Sequence, residues 1–228
     1  MASLTVLQSI AFREAFLELA PRFDRDSGHC TRAVFDGGIN VMQRLLGGEA
    51  VDLVIMAGDK IDALMTAGCV VEAGRTDLAD SPMAVAVRAG APQPDISSAG
   101  RLREALLAAR CIAFSTGPSG VHLARLVARW GLTAQLEGRM LQVKGEPAGA
   151  ALARGDADLA FQQLSELLPV PGIDIVGPMP DGAQLVTRFA IGLHRACAAP
   201  QAGRALMAYL ASPQAAPTIR ATGMIPLS

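Results

Sequence analysis

LTVLQSIAFREAFLELAPRFDRDSGHCTRAVFDGGINVMQRLLGGEAVDLVIM, residues 4–56, holds three short β-branched runs separated by two segments of helical period. Leu4 to Leu7 reads as a strand. Phe12, Phe16, Leu19, Ala20 and Phe23 then recur at spacings of three and four, as one face of a helix would, and Gly28 closes that helix as a C-terminal glycine commonly does. Thr31 to Phe35 is a second strand, followed by a Gly37-Gly38 turn and a helix with the apolar face Val41, Leu45 and Leu46. Asp52 to Met56 is the third strand, and Asp59 is expected to cap a helix that runs to Ala67 and stops at Gly68. Strands that alternate with helices make parallel sheets crossed by helices, so the fold class is α/β.

The same pattern continues beyond residue 56. Pro82 to Arg88 reads as a strand leaving a first lobe, and Gly90 to Pro94 as a stiff surface connection. A helix to Ala109, strand Cys111 to Ser115, helix Ser119 to Trp130, strand Met140 to Val143, helix to Arg154 and strand Asp158 to Phe161 follow. Pro169 to Gly182 reads as a Pro-Gly-rich segment, Leu185 to Leu193 as a strand, and two helices begin near Pro200 and Pro213.

Composition narrows the function. Of 228 residues 51% are hydrophobic and only 4% aromatic, which suits a core of Ala, Val, Leu and Ile and argues against a sugar site built on stacked rings. A formal net charge of −1 removes the diffuse attraction that nucleic-acid or anionic-membrane binding needs. No run is long enough to span a membrane. Cys30, Cys69, Cys111 and Cys197 form no C-x-x-C pair and read as free thiols, and no histidine spacing suggests a metal, so neither metal nor cofactor is expected. Met1 to Thr5 lead into a strand without the features of an export signal. As written the chain is expected in the cytoplasm, or in the periplasm if such a signal preceded it.

Ligands of open α/β sheets sit beyond the carboxyl ends of strands, where helix N-termini bring free N–H groups together. Four turns are therefore candidates: Gln8 to Ala11, Asp36 to Asn40, Ser115 to Val121, and Lys144 to Pro147. Each could equally be an ordinary helix cap. Ser115-Thr116-Gly117-Pro118-Ser119-Gly120 lacks the G-K-[ST] ending of a nucleotide loop and reads as an anion cradle. Lys144 is one of two lysines beside eighteen arginines and stands at a strand end. Arg13, in the first turn of the first helix, opposes the helix dipole unless an anion offsets it. Gln162 and Gln163 follow a strand, with Ser165 and Glu166 close behind. The expected ligand contacts are Ser9, Ile10, Ala11, Gly37, Gly38, Ile39, Ser115, Thr116, Ser119, Gly120, Val121, Lys144, Ala148 and Gln162. The candidates for an acid or base are His122, Lys144 and Glu166, while His29 and His194 read as turn and strand surface residues.

ARGDADLAFQQLSELLPVPGIDIVGP (153–178), SGVHLARL (119–126) and TVLQSIAFREAFLELAPRFDRDSGH (5–29) resemble the molybdate-binding-like branch of the type-2 periplasmic solute-binding proteins, and the likeness covers nearly the whole chain. The resemblance implies mixed sheets flanked by helices, lobe I from residues 1–81 plus 189–228, lobe II from 82–188, and a ligand cleft between the lobes. It also implies a serine where Ala11 stands, another near Gly38, a backbone donor at Pro147 or Ala148 and a tyrosine at Gln162. Two hydroxyls and a phenol are thus missing, and Pro147 has no N–H. Losing such donors costs about 1–3 kcal/mol each. A partly apolar organic anion, a di- or tricarboxylate, is expected in place of molybdate. Two functions follow: a binding protein that delivers this anion to an ABC permease, or a cytoplasmic isomerase that moves a proton in an unsaturated acid, as in aconitate isomerase, an enzyme of similar fold.

Overall fold

The computed structural model describes residues 1–227. Strand β1 (Ser3–Ser9) runs into a 3-10 turn, Ile10–Phe12, and helix α1 (Arg13–Ser27), then β2 (Cys30–Asp36), α2 (Gly38–Leu46), β3 (Leu53–Ala57) and α3 (Gly58–Thr66). A long strand, β4 (Val70–Arg88), precedes α4 (Ala99–Ala108), β5 (Ile112–Phe114), α5 (Pro118–Arg129), β6 (Met140–Gln142), α6 (Ala148–Arg154), β7 (Leu159–Gln163), α7 (Leu164–Leu167) and β8 (Ile173–Pro178). β9 (Val186–His194), α8 (Pro200–Leu210), α9 (Ala216–Ala221) and β10 (Ile225–Pro226) complete the order. The α/β class read from the sequence is the class observed. The chain forms two compact units, Met1–Ser81 with the stretch from Thr187 onward, and Pro82–Val186.

In the first unit β1 pairs in parallel with β2 (Val6 opposite Ala33) and with β3 (Val6 opposite Leu53), and β9 lies antiparallel on β3. Successive strand residues point to opposite faces. Leu4, Val6, Leu53 and Ile55 therefore join Phe12, Phe16 and Leu19 of α1 and Leu206 and Leu210 of α8 in one core. Leu7, Val54 and Met56 join Val41, Leu45, Ile61 and Leu64 in the other. Strands buried on both faces read as unbroken apolar runs, which is why β1 and β3 were legible. Each such side chain stabilises the unit by about 1.5–3 kcal/mol.

The second unit repeats the scheme with β6, β5 and β7 parallel and β4 antiparallel to β7 and β8. Met83, Val85, Ile112, Phe114, Leu159 and Phe161 face one core. The opposite face is Ala84, Ala86, Ala113 and Ala160, packed on Ala148, Ala151 and Leu152 of α6. A sheet face of methyl groups lets a helix lie close, because nothing longer holds it off. That closeness seats the start of α6 beside the end of β7.

Several expectations are corrected. Asp59 does not cap α3. Ala57 stands at the cap with extended backbone, so Asp59 falls in the first turn, where its charge still complements the dipole, and it pairs with Lys60 at 3.1 Å. Leu46 is exposed, outside the core that Val41 and Leu45 enter. β4 starts at Val70, twelve residues before the expected Pro82. Glu72, Arg75, Asp77 and Asp80 hide its first half from an apolar reading, and three of them are paired: Arg75 with Asp77 at 2.8 Å and with Asp62 at 3.0 Å, Asp80 with Arg188 at 2.9 Å. β8 lies in the segment read as Pro-Gly-rich, and β10 follows α9, where the chain was expected to finish in a helix. β8 sits against β4 with a register shift between Val85 and Ala86, a place where a strand tolerates Gly177 and Pro178. β7 extends through Gln162 and Gln163, which were expected to follow the strand. His194 is buried at the end of β9; burial holds its ring below the usual histidine range.

Candidate functional site

The carboxyl ends of β1 and β2 carry the first unit's candidates. Ser9 is nearly buried and its hydroxyl faces the Ile55 carbonyl at 3.5 Å, Ala11 is buried, and Ile10 is partly exposed. No side chain caps the Ile10–Phe12 turn or α1, and the Arg13 N–H goes to the Ile10 carbonyl. Arg13 lies over the Phe35 ring, 5.4 Å from its centroid, with half its side chain exposed. The start of α2 differs. Asp36 accepts the Gly37 N–H at 2.8 Å and the Asn40 amide at 2.8 Å, and pairs with Arg44 at 3.2 Å. Burial alone would lift the Asp36 carboxyl, but these three partners hold it below the usual carboxylate range. This turn thus carries its own anion. Gly38 is partly exposed beside it, and Ile39 stands open.

Gln8, read from sequence as a turn residue, lies within β1, opposite Phe35 and Ile55. It is 0% exposed, and neither polar atom of its side chain has a hydrogen-bonding partner among the described residues. A buried amide without partners costs about 1–3 kcal/mol, and such sites are retained where function needs them. Gln8→Leu is accordingly expected to raise stability by about 1–2 kcal/mol, measured by urea unfolding; an unchanged or lower midpoint would show that the amide is satisfied.

In the second unit the parallel strands β6, β5 and β7 end along one edge. Phe114 is in register with Gln142 and with Phe161, so Ser115, Val143 and Gln162 come next on three adjacent strands. Ser115 Oγ accepts the Gly117 N–H at 3.2 Å and meets Ser119 Oγ at 3.1 Å. The cradle is therefore knit by its own hydroxyls. Pro118 has no N–H to give and that of Val121 goes to the Gly117 carbonyl, which leaves the Ser119 and Gly120 amides at the mouth of α5, where no side chain caps it. Thr116 is partly exposed and Val121 is open to solvent. Lys144 is exposed at the end of β6, and no ion pair among the described residues includes it.

The three acid–base candidates separate here. His122 Nε2 lies 2.8 Å from the Ala183 carbonyl, so it carries the proton and donates it there. Lys144 is an exposed cation. Glu166 sits in α7 and receives a hydrogen bond from Nε2 of Gln162, whose Oε1 takes the Ala148 N–H at 2.6 Å. Burial pushes the Glu166 carboxyl up to about 7, while the bond from Gln162 works against that rise. A carboxylate near neutrality can take a proton from a weak acid and give it back. Among the described residues no cluster of three or more His, Cys, Asp or Glu could hold a metal ion, and no helix is long and apolar enough to cross a membrane.

Residues 4–225 match the family model of the bacterial extracellular solute-binding proteins. Over 233 aligned residues the chain is 39% identical to the aconitate isomerase of Pseudomonas sp, covering all of this chain and 89% of that one. Among solved structures it is similar to the periplasmic molybdate-binding protein of Azotobacter vinelandii, with a TM-score of 0.81 at 20% identity over 97% of this chain and 98% of the other. It is similar also to the sulfate-binding protein of Mycobacterium tuberculosis H37Rv, with a TM-score of 0.79 at 16% identity over 100% and 88%.

Proposed function

We propose, from the premise that this chain belongs to the bacterial extracellular solute-binding protein family, that it is an isomerase moving a proton across the allylic system of an unsaturated tricarboxylate such as aconitate. The observation that carries this reading is Glu166, a carboxyl held near neutral pKa at the strand ends of the second unit. Full-length identity of 39% to an aconitate isomerase supports it.

The chemistry balances with one base. Glu166 takes a proton from the methylene carbon, the electron pair of that C–H bond forms a new C=C bond, and the old double bond supplies the pair for a C–H bond at the far carbon. The proton returns there from the protonated Glu166. Substrate carboxylates spread the negative charge that develops, and the Ser119 and Gly120 amides at the start of α5 stabilise one of them. Lys144 adds a mobile cation. The first unit, taken by itself, carries an uncapped turn after β1, with Ser9, Ile10, Ala11 and Arg13, that suits a carboxylate, and an open Ile39; in the second unit Val121 gives apolar contact.

The lost hydroxyls at Ala11 and Gly38 and the internal use of the Ser115 and Ser119 hydroxyls support a carboxylate over a tetrahedral oxyanion. Incubation of trans-aconitate with the protein in D2O, followed by proton NMR, is expected to show conversion to the cis isomer with deuterium appearing at carbon. A second reading, an organic-anion or oxyanion carrier for an ABC permease, draws on the fold shared with molybdate and sulfate binders. Thermal stabilisation by citrate or an aconitate with no exchange at carbon would leave that reading; stabilisation by molybdate or sulfate alone would overturn the carboxylate assignment.

A further inference from the structure

We propose that Gln162 is a positioning residue that fixes which oxygen of Glu166 faces the substrate. The inference rests on the isomerase reading and adds the device that sets its base.

The orientation of a glutamine amide is settled by its partners. The Ala148 N–H is a backbone donor and can only donate, so the atom 2.6 Å from it must be Oε1. Nε2 is then obliged to point the other way, and it donates to Oε2 of Glu166. Gln162 cannot turn away easily, because it is 3% exposed and its backbone is in β7, opposite Ala84 of β4. The start of α6 is seated just as firmly by the alanine face beneath it. The relay from Ala148 through Gln162 to Glu166 thus has one direction, and it leaves Oε1 of Glu166 for the proton in flight.

The same relay explains a departure from the oxyanion-binding pattern. At α6 the Ala148 N–H is spent on Gln162 and cannot meet an anionic guest. The second unit gives up one anion donor and holds a carboxylate in its place, an exchange that serves proton transfer and not tighter anion binding. Burial and the Gln162 bond account for the acidity of Glu166, with no charged side chain contributing. A bond donated to a carboxylate favours its charged form. Without it burial acts unopposed and the carboxyl stays protonated to higher pH.

Two substitutions separate positioning from mere structure. Gln162→Glu keeps an oxygen for the Ala148 N–H but turns an acceptor toward Glu166; Gln162→Met removes both bonds. With trans-aconitate, both variants are expected to lose at least tenfold in kcat at pH 7 with KM changed less than threefold, and the acidic limb of kcat against pH, where the base loses activity by protonation, is expected to move up by about one unit or more. Titration of the Glu166 carboxyl by 13C NMR, compared with Glu166→Gln for assignment, reads the same shift without turnover. An unmoved titration in Gln162→Glu overturns the relay, whether or not the wild type isomerises anything. A wild type that titrates as described but never exchanges deuterium overturns the isomerase reading alone.

Discussion

Glu166→Gln is expected to reduce isomerisation of trans-aconitate by about 10²- to 10⁴-fold, the usual contribution of a positioned base, while making the protein more stable above pH 7. The substitution keeps shape and leaves a carbonyl to accept from Gln162, so the relay and fold persist. The stability gain follows from linkage. The Glu166 carboxyl has its pKa raised from 4.5 to about 7 in the folded chain, so between those values the native state holds a proton that the unfolded state releases. Stability therefore falls as pH rises through that window, and above pH 7 the whole penalty, on the order of 3 kcal/mol, is present. Urea unfolding at pH 4 and pH 8 checks this: the variant should match the wild type at pH 4 and exceed it at pH 8. Equal stability at both pH values together with full activity would remove Glu166 from the mechanism.

Gly120→Ala is expected to cost more than 4 kcal/mol or to prevent folding of the second unit, one of the larger effects a single methyl group can have. A Cβ at Gly120 would stand 1.7 Å from the Ser115 carbonyl oxygen and 2.7 Å from its carbon. Both are backbone atoms at the end of β5 and cannot step aside as a flexible side chain would. Either the strand end or the first turn of α5 must move, and with it the Ser115–Ser119 pair and the amides proposed to meet a substrate carboxylate. Gly117→Ala is the control, since its Cβ would find only Ser115 Oγ at 3.5 Å and its φ of −79° suits any residue. Circular dichroism melts of the two variants should differ by tens of degrees. If Gly120→Ala melts like Gly117→Ala and still binds aconitate, the close approach of α5 to β5 is not required.

The fold was legible where burial leaves a period in the sequence. α1 shows five apolar residues on one face, β1 and β3 read as continuous apolar runs, and Gly28 announces the end of α1 with a φ of 70°. Legibility failed where side chains answer to partners far along the chain. Arg75, Asp77 and Asp80 look like loop residues until Asp62 and Arg188 are beside them, and β8 looks like a Pro-Gly linker until β4 lends it hydrogen bonds. Likewise His194 reads as surface because nothing in its neighbours reveals that β3 and β4 bury the end of β9.

The candidate site divides in the same way. Sequence placed Ser115, Thr116, Ser119, Gly120, Lys144, Ala148 and Gln162 at strand ends, because glycine, hydroxyl and amide residues that follow apolar runs mark the turns where helices begin. It also named His122, Lys144 and Glu166 as possible bases without ranking them. The ranking is a matter of three-dimensional partners: a carbonyl sixty-one residues away occupies His122, solvent takes Lys144, and burial with one amide donor brings Glu166 to neutrality. Local pattern determines which segments become strands and helices, since period and capping act over a few residues. Acidity and the direction of a hydrogen bond depend on what lies within a few ångströms in space, and only the folded chain decides that.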